Sequence, residues 1–261
     1  MTITPSIRPR RSALYLPANN VRAVEKARSL PCDAVILDLE DTIRPEVKLQ
    51  ARSAAVEAVR DGRFEHREVV IRVNGLDTPW GLDDMAEAAQ ARPDAVLVSK
   101  ISSSSELAAA RVALGDAVPI WAMIETCEAV LQLNDIGAAS VDSGVDVWVI
   151  GTSDLAKEMR CAHTVERPGL LTALSMSVMA ARAFGLAILD GVFTDISDPE
   201  GLAIQCSQGV ALGFDGKTVL HPSQLEITNR AFALDLAART AGAVYGMPTT
   251  AGVVSPSSDR M

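Results

Sequence analysis

The chain alternates between short apolar runs and longer amphipathic segments. Eight apolar runs of four to seven residues are nearly continuous, which is typical of strands buried on both faces. The segments between them are rich in Ala, Leu, Glu and Arg and place apolar residues three and four positions apart, a pattern that predicts helices. The predicted strands are Ala13–Leu16, Ala34–Leu39, Val69–Val73, Ala95–Val98, Ile120–Ile124, Val145–Ile150, Leu186–Leu189 and Phe214–Leu220. The predicted helices are Val21–Leu30, Glu46–Val59, Gly81–Ala91, Ser104–Leu114, Glu128–Ile136, Ser153–Met159, Leu170–Phe184 and Pro199–Leu212.

A strand followed by a helix, repeated eight times in about 220 residues, predicts a (β/α)8 barrel, the TIM-barrel fold. An open doubly wound sheet is the alternative, but Pro17-Ala-Asn-Asn follows the first strand where that fold has a glycine-rich phosphate-binding turn. We therefore predict an N-terminal arm over residues 1–10, a barrel over 11–235 and a short C-terminal extension over 236–261. The tail of that extension, from about Met247, is expected to be disordered.

Composition and charge exclude several classes of function. The chain has 24 Lys and Arg residues against 33 Asp and Glu, and its formal charge of −9 argues against non-specific binding to nucleic acid. The longest apolar stretch, Ala117–Ile124, is far shorter than the roughly 20 residues that span a bilayer. The start of the sequence lacks the apolar core of a secretory signal, and the four cysteines are scattered. Free thiols and a cytoplasmic location are therefore expected.

Polar and charged side chains follow or end most of the predicted strands. In a barrel of this type the active site lies at the carboxyl ends of the strands, so these residues are expected to converge on one rim. They are Asp38, Glu40, Asp41, Arg72, Asn74, Lys100, Glu125, Asp154, Asp190, Asp215, Lys217 and His221.

Two carboxylates at neighbouring strand ends predict a metal site. Glu125 follows the fifth strand and Asp154 follows the sixth, and Mg²⁺ takes one or two protein carboxylates together with water and substrate oxygens. The three histidines are too few and too dispersed to indicate zinc. The alternative is structural, because acidic residues also cap helices and occupy their first turns.

Arg72 lies in an otherwise apolar strand, where a guanidinium needs a carboxylate partner. That partner is either a bound acid or a protein carboxylate, Glu40 or Asp41. Asp38, Glu40 and Asp41 would repel one another without a cation or a shared proton, so at least one of them is a candidate base.

Four basic residues have two interpretations each. Lys100 and Lys217 are either Schiff-base lysines or, more simply, protonated lysines paired with nearby carboxylates. Arg22 and Lys26, four residues apart on the first predicted helix, are either a solvated helix face or a phosphate-binding pair.

Seven ordered motifs resemble the CitE-like CoA-ester lyases, relatives of the citrate lyase beta subunit, malyl-CoA lyase and citramalyl-CoA lyase. The resemblance extends from about Arg11 to Gln224. It implies a (β/α)8 barrel, commonly a homotrimer, that uses Mg²⁺ to cleave or form a carbon–carbon bond between an acetyl-CoA unit and an α-keto acid. The motifs are Arg11–Pro17, Leu37–Asp41, Arg72–Asn74, Ile124–Thr126, Gly151–Leu155, Gly185 with Asp190–Phe193, and Gly213–Pro222.

The resemblance also implies roles for individual residues. Glu125 and Asp154 correspond to metal ligands, and Arg72 to the arginine that holds the keto-acid carboxylate. The positions that correspond to CoA-ester or other substrate contacts are Tyr15, Arg22, Lys26, Leu189 and Asp190.

The C-terminus departs from the longer lyases, which carry an aspartate that reaches a neighbouring subunit. Asp235 does not match that acid, so either another group (Glu40, Asp41 or metal-bound water) transfers the proton, or the lyase activity is altered. The expected function is a Mg²⁺-dependent lyase that acts on citramalyl-CoA or malyl-CoA. The alternatives are a CoA-free pyruvate aldolase of the HpcH/HpaI type, a malyl-CoA thioesterase or malate-synthase-like variant, and a non-catalytic CoA-binding subunit.

Overall fold

Eight parallel strands close into a barrel in the order in which they occur along the chain, and helices surround it. The computed structural model describes residues 8–116 and 118–240, with side chains only as far as residue 233 in the last helix. The strands are β1 Ser12–Pro17, β2 Ala34–Asp38, β3 Glu68–Val73, β4 Ala95–Val98, β5 Ile120–Ile124, β6 Val145–Ile150, β7 Ala187–Asp190 and β8 Gly216–Val219. The helices are α1 Val21–Ala27, α2 Lys48–Asp61, α3 Gly81–Ala91, α4 Ser104–Leu114, α5 Cys127–Leu131, α6 Leu133–Asp142, α7 Thr152–Met159, α8 Leu171–Ala183, α9 Pro199–Leu212 and α10 Leu225–Thr240.

The predicted (β/α)8 barrel is therefore confirmed, and β4, β5 and β6 begin and end at the predicted residues. The single helix predicted over Glu128–Ile136 is wrong, because the chain forms α5 and α6 with a break at Gln132, whose backbone leaves the helical region at φ −110° and ψ 17°. Neither glycine nor proline marks this break in the sequence.

Apolar side chains fill two layers, one on each face of the sheet. In β1, Ala13 and Tyr15 point into the barrel, whereas Leu14 and Leu16 pack under the helices. Because both faces of the sheet are buried, a strand does not need to alternate between apolar and polar residues. This explains the continuous apolar runs of the sequence.

The segment before β1 closes the amino-terminal end of the barrel. Arg10 donates two hydrogen bonds to Glu68, at 2.6 and 2.8 Å, and its guanidinium lies 5.4 Å from the centre of the Trp121 ring. Arg10 therefore covers Glu68 and Trp121 at this end, away from the carboxyl ends of the strands.

Other predictions lie partly outside the described residues. Residues 1–7 of the predicted arm and the tail from Met247 are not described, nor is the side chain of Asp235, while the backbone of α10 crosses the predicted boundary at residue 235. The four cysteines are free thiols, as predicted. Among the described residues, no helix is both long and apolar enough to cross a membrane.

Candidate active site at the carboxyl ends of the strands

A cavity of about 150 Å³ opens at the carboxyl ends of the strands. Five of the residues predicted for the site line it, and they come from four different strand ends and from the first turn of α7. These residues are Tyr15, Asp41, Arg72, Glu125 and Asp154. Nine further lining residues are Thr42, Met123, Ile150, Gly151, Thr152, Ser153, Val192, Thr218 and Leu220. The carboxyl ends of the strands thus bring together, in one cavity, residues that lie far apart in the sequence.

Arg72 is paired by carboxylates of the protein itself. Its Nε and Nη2 atoms donate to the two oxygens of Asp38 at 2.6 and 2.7 Å, a bidentate pair in which both side chains are almost completely buried. Burial raises the pKa of a carboxyl group, but the charge and hydrogen bonds of Arg72 outweigh it and lower the pKa of Asp38. The sequence had indicated Glu40 or Asp41 as the protein partner, whereas the principal partner is Asp38.

The remaining nitrogen of the guanidinium faces two more acids. Arg72 Nη1 lies 3.0 Å from Oε2 of Glu40 and donates to Asp41 at 3.3 Å. The Asp41 side chain is 57% exposed, so this contact is the most accessible to a competing carboxylate. The guanidinium also lies 4.8 Å from the centre of the Tyr15 ring, which supports it from one side.

The loop that carries these acids is fixed by a buried lysine. Lys48 at the start of α2 donates from Nζ to the carbonyls of Leu39 and Glu40 and to the side chain of Asn74, at 2.7 to 2.8 Å. Thr42 donates its hydroxyl to Asp38 from the other end of the loop. Lys48 and Thr42 were not predicted, because they lie in segments interpreted as helix and loop. The anchoring role of Asp38, at the end of a predicted strand, was not predicted either.

Glu125 is almost completely buried at the end of β5, 2% exposed. Burial, together with the negative charges of Glu40 and Asp154, raises the pKa of Glu125 to about 8. Its Oε1 accepts a hydrogen bond from the backbone N–H of Lys100 at 2.9 Å. Ionisation of the Glu125 carboxyl group therefore costs free energy, and a bound cation would offset that cost.

The residues present fit a hard divalent cation. Burial and the charge of Asp41 raise the pKa of Glu40, and its Oε2 atom has no hydrogen-bond partner, although Arg72 is near. Within residues 8–116 and 118–233, no cluster of three or more acidic, His or Cys side chains could hold a metal. Glu125 and Asp154 both line the cavity and provide two carboxylates, the number that Mg²⁺ uses when substrate and water supply its other ligands.

Several predicted residues lie away from the cavity. Arg22 and Lys26 are exposed on α1, where the structure assigns them no ion pair among the described side chains. Leu189 is fully buried in the barrel interior and does not line the cavity.

Asp190 and Asp215 require correction. Asp190 is fully buried and points toward the helices, where Arg167 and Lys217 donate to it at 2.7 and 2.9 Å, and it does not line the cavity. Lys217 is thus a paired lysine. Asp215 precedes β8 and bonds Arg182, which places it at the amino-terminal end of the strand and not on the predicted rim.

The sequence model of the HpcH/HpaI aldolase/citrate lyase family matches residues 11–222. The chain belongs to this family. Among its relatives, the (3S)-malyl-CoA thioesterase of Cereibacter sphaeroides is 42% identical over 86% of this chain and 78% of its own length. The citrate lyase subunit beta of Leuconostoc mesenteroides is 30% identical over 87% and 78%, and human mitochondrial citramalyl-CoA lyase is 28% identical over 86% and 71%.

Solved structures of the family share the barrel. CitE of Mycobacterium tuberculosis, in complex with magnesium, acetoacetate and coenzyme A, superposes with a TM-score of 0.74 at 27% identity, over 89% of this chain and 86% of that one. The citrate lyase beta subunit of the same organism, with oxaloacetate and magnesium, gives a TM-score of 0.72 at 28% identity, over 85% and 96%. The resemblance drawn from the seven motifs is confirmed.

Proposed function

We propose that this chain is a Mg²⁺-dependent enzyme that acts on a short β-hydroxyacyl-CoA thioester, and that it hydrolyses malyl-CoA to malate and CoA. One observation supports the proposal above all: Glu125 and Asp154 share a small cavity with the guanidinium of Arg72. Two acids and one cation at the ends of three different strands suit a substrate that carries both a carboxylate and polarisable oxygens. Hydrolysis is preferred because the malyl-CoA thioesterase shares 42% identity with this chain, against 28–30% for the lyase relatives.

Glu125 and Asp154 are the residues that would hold Mg²⁺. When bound, Mg²⁺ supplies a Lewis acid that polarises carbonyl and hydroxyl oxygens and stabilises negative charge on them. Glu125 must lose its proton to serve as a ligand, and its raised pKa makes this step dependent on pH.

Arg72 binds the carboxylate of the acyl group. Its bidentate bond to Asp38 fixes the guanidinium plane, and its Nη1 atom faces the partly exposed Asp41. A substrate carboxylate that replaces Asp41 at this nitrogen gains a charge-assisted hydrogen bond without rebuilding the buried pair. Tyr15 supports the guanidinium from the barrel interior, and burial raises the pKa of its phenol, which stays protonated.

Glu40 is the group that accepts a proton. Burial and the neighbouring Asp41 raise its pKa, which brings a carboxylate closer to the range of a useful general base. In hydrolysis Glu40 takes the proton of the attacking water, whose oxygen adds to the thioester carbonyl, and the CoA thiolate leaves. Arg22 and Lys26, exposed on α1, remain available to the phosphate groups of CoA.

A carbon–carbon lyase is the second candidate. Two relatives named for lyases align with 86–87% of this chain, and the same proton acceptor would then act on the β-hydroxyl of the substrate. Cleavage of malyl-CoA in this way gives acetyl-CoA and glyoxylate, whereas citramalyl-CoA gives acetyl-CoA and pyruvate.

Product analysis distinguishes the two reactions. Purified protein is incubated with malyl-CoA or citramalyl-CoA, with Mg²⁺ or with excess chelator, and malate, free CoA, acetyl-CoA and keto acids are measured separately. We expect Mg²⁺-dependent release of malate and free CoA in equal amounts. Acetyl-CoA with a keto acid would establish the second candidate instead, and the absence of every product with both esters would contradict a CoA-ester function.

A further inference from the structure

Lys100 connects the two acidic sides of the site although it does not line the cavity described above. It follows β4 with its backbone in the left-handed region, at φ 57°, a conformation that residues other than Gly, Asn and Asp rarely adopt. Its backbone N–H donates to Oε1 of Glu125 at 2.9 Å, and its ammonium group lies 3.3 Å from Oε1 of Glu40. One residue thus holds a candidate metal ligand through its backbone and the candidate base through its side chain.

The unusual backbone aims the amide at Glu125. The next residue, Ile101, donates to the carbonyl of Met123 at 3.2 Å, so the chain is attached to β5 immediately after the turn. A left-handed backbone conformation costs free energy in residues other than glycine, and it persists only where neighbouring contacts hold it. Such positions concentrate at functional sites. Glu125 therefore has a fixed orientation before any cation binds.

The ammonium group has a separate effect, on Glu40. Oε1 of Glu40 faces Lys100, and Oε2 lies beside Arg72, so both oxygens point toward cations of the protein. Burial lowers the pKa of the Lys100 ammonium, but the charges of Glu40, Glu125 and Asp154 outweigh it and raise that pKa. The charges of the three acids thus keep the Lys100 ammonium protonated, and Glu40 is the one that it contacts.

We propose that Lys100 is a positioning residue with two separable roles: its left-handed backbone orients Glu125 toward a bound cation, and its ammonium group keeps Glu40 from becoming a third protein ligand. With Glu40 held apart, the cation retains coordination positions for substrate and water, and Glu40 remains available to accept a proton. These roles depend on the metal site proposed above.

The ammonium role is tested by Lys100→Met, with Lys100→Arg as the charge-preserving control. The Kd for Mn²⁺ is measured on the full-length protein by electron paramagnetic resonance, which reports binding without any substrate. Removal of a nearby positive charge and release of Glu40 both favour the cation, so Lys100→Met should lower the Kd by about fivefold. Lys100→Arg should restore the wild-type Kd, a rescue that a merely structural role does not predict.

The backbone role is tested by Lys100→Asn and Lys100→Ile, which both lack the ammonium group. Asn accepts the left-handed conformation readily, whereas a β-branched residue does not. We expect Lys100→Asn to bind Mn²⁺ as tightly as Lys100→Met, and Lys100→Ile to bind about fivefold more weakly or worse than Lys100→Asn. If Lys100→Ile does not fold, Lys100→Ala provides the same comparison with a smaller expected difference.

The outcomes separate this role from the proposed function. Wild-type protein that binds no Mn²⁺ contradicts the metal site and, with it, the role of Lys100. Wild-type binding with an unchanged Kd in Lys100→Met contradicts the ammonium role alone, and equal Kd values for the Asn and Ile variants contradict the backbone role alone. Thermal unfolding of each variant confirms that the proteins compared are folded.

Discussion

Replacing Glu125 with Gln should stabilise the metal-free protein and abolish its binding of divalent cations. Burial and the charges of Glu40 and Asp154 raise the pKa of Glu125 to about 8 in the folded protein, whereas a glutamate in the unfolded chain titrates near its ordinary value. Ionisation of this carboxyl group therefore costs more in the folded state than in the unfolded state. Gln has nearly the same shape, cannot ionise, and keeps an oxygen that accepts the Lys100 N–H.

The direction of the pH dependence follows from linkage. Because the folded-state pKa lies above the unfolded-state pKa, the folded protein holds the proton more tightly, and its stability falls as the pH rises from the lower to the higher value. The Glu125 carboxylate costs about 3 kcal/mol of unfolding free energy at pH 7 and 4 to 5 kcal/mol above pH 8, as orders of magnitude. Below the unfolded-state pKa the cost vanishes, since both states are protonated.

Urea denaturation in excess chelator, at several pH values between 4.5 and 8, measures the difference in unfolding free energy between Glu125→Gln and the wild type. The control is Glu57→Gln, on an exposed face of α2. The unfolding free energy of Glu125→Gln should exceed that of the wild type by an amount that grows from near zero to about 3 kcal/mol at pH 7. Saturating Mg²⁺ should narrow this gap by stabilising the wild type alone, by about 2.7 kcal/mol at one hundred times the Kd. A difference that does not change with pH would refute the reasoning.

Three further substitutions probe the surrounding framework. Arg72→Met leaves a buried aspartate without its counter-charge and should lower the unfolding free energy by about 3 to 5 kcal/mol in urea; a loss below about 1 kcal/mol would argue that the pair is dispensable. Asp190→Asn removes the carboxylate that pairs with Lys217 and should lower the unfolding free energy by a similar amount. Since this cluster faces the helices and not the cavity, the Mn²⁺ Kd should stay unchanged, and a shifted Kd would show coupling that the geometry does not predict. Gly151→Ala places a methyl group against the side chain of Glu125 and should weaken Mn²⁺ binding by about tenfold or more; unaltered binding would place the cation elsewhere.

The barrel could be predicted because its evidence is repeated along the chain. Eight buried strands with helices between them leave few alternative topologies. The active site of such a barrel lies at the carboxyl ends of its strands, and Arg72, Glu125 and Asp154 lie there in one cavity. No side-chain geometry is needed for that inference, because the carboxyl ends of parallel strands meet in any closed barrel.

The direction of individual side chains could not be predicted in the same way. A continuously apolar strand such as β7 carries no alternation, so the sequence does not show that Leu189 points inward and Asp190 outward. Asp215 was assigned to the rim although it is the second residue of the predicted strand, and the structure places it just before the amino end of β8. The left-handed backbone of Lys100 has no sequence signal, because Lys is not a residue type that favours it.

The sequence also did not show that Asp38 is the main partner of Arg72. Three acids lie within four residues, and only the register of β2 against β3, which aligns Asp38 with Arg72, decides which of them reaches the guanidinium. Register is a property of the folded sheet, and the loop residues Glu40 and Asp41 are the more obvious candidates in sequence.

The central claim is that Glu125 and Asp154 hold a divalent cation that is required for chemistry on a CoA thioester. The most direct test measures CoA release from malyl-CoA by the wild type, Glu125→Gln and Asp154→Asn, each with Mg²⁺ and with excess chelator, after urea denaturation has shown that all three proteins are folded. Turnover should occur only in the wild type with Mg²⁺. Turnover by either variant at the wild-type rate, or wild-type turnover that the chelator leaves unchanged, would contradict the claim.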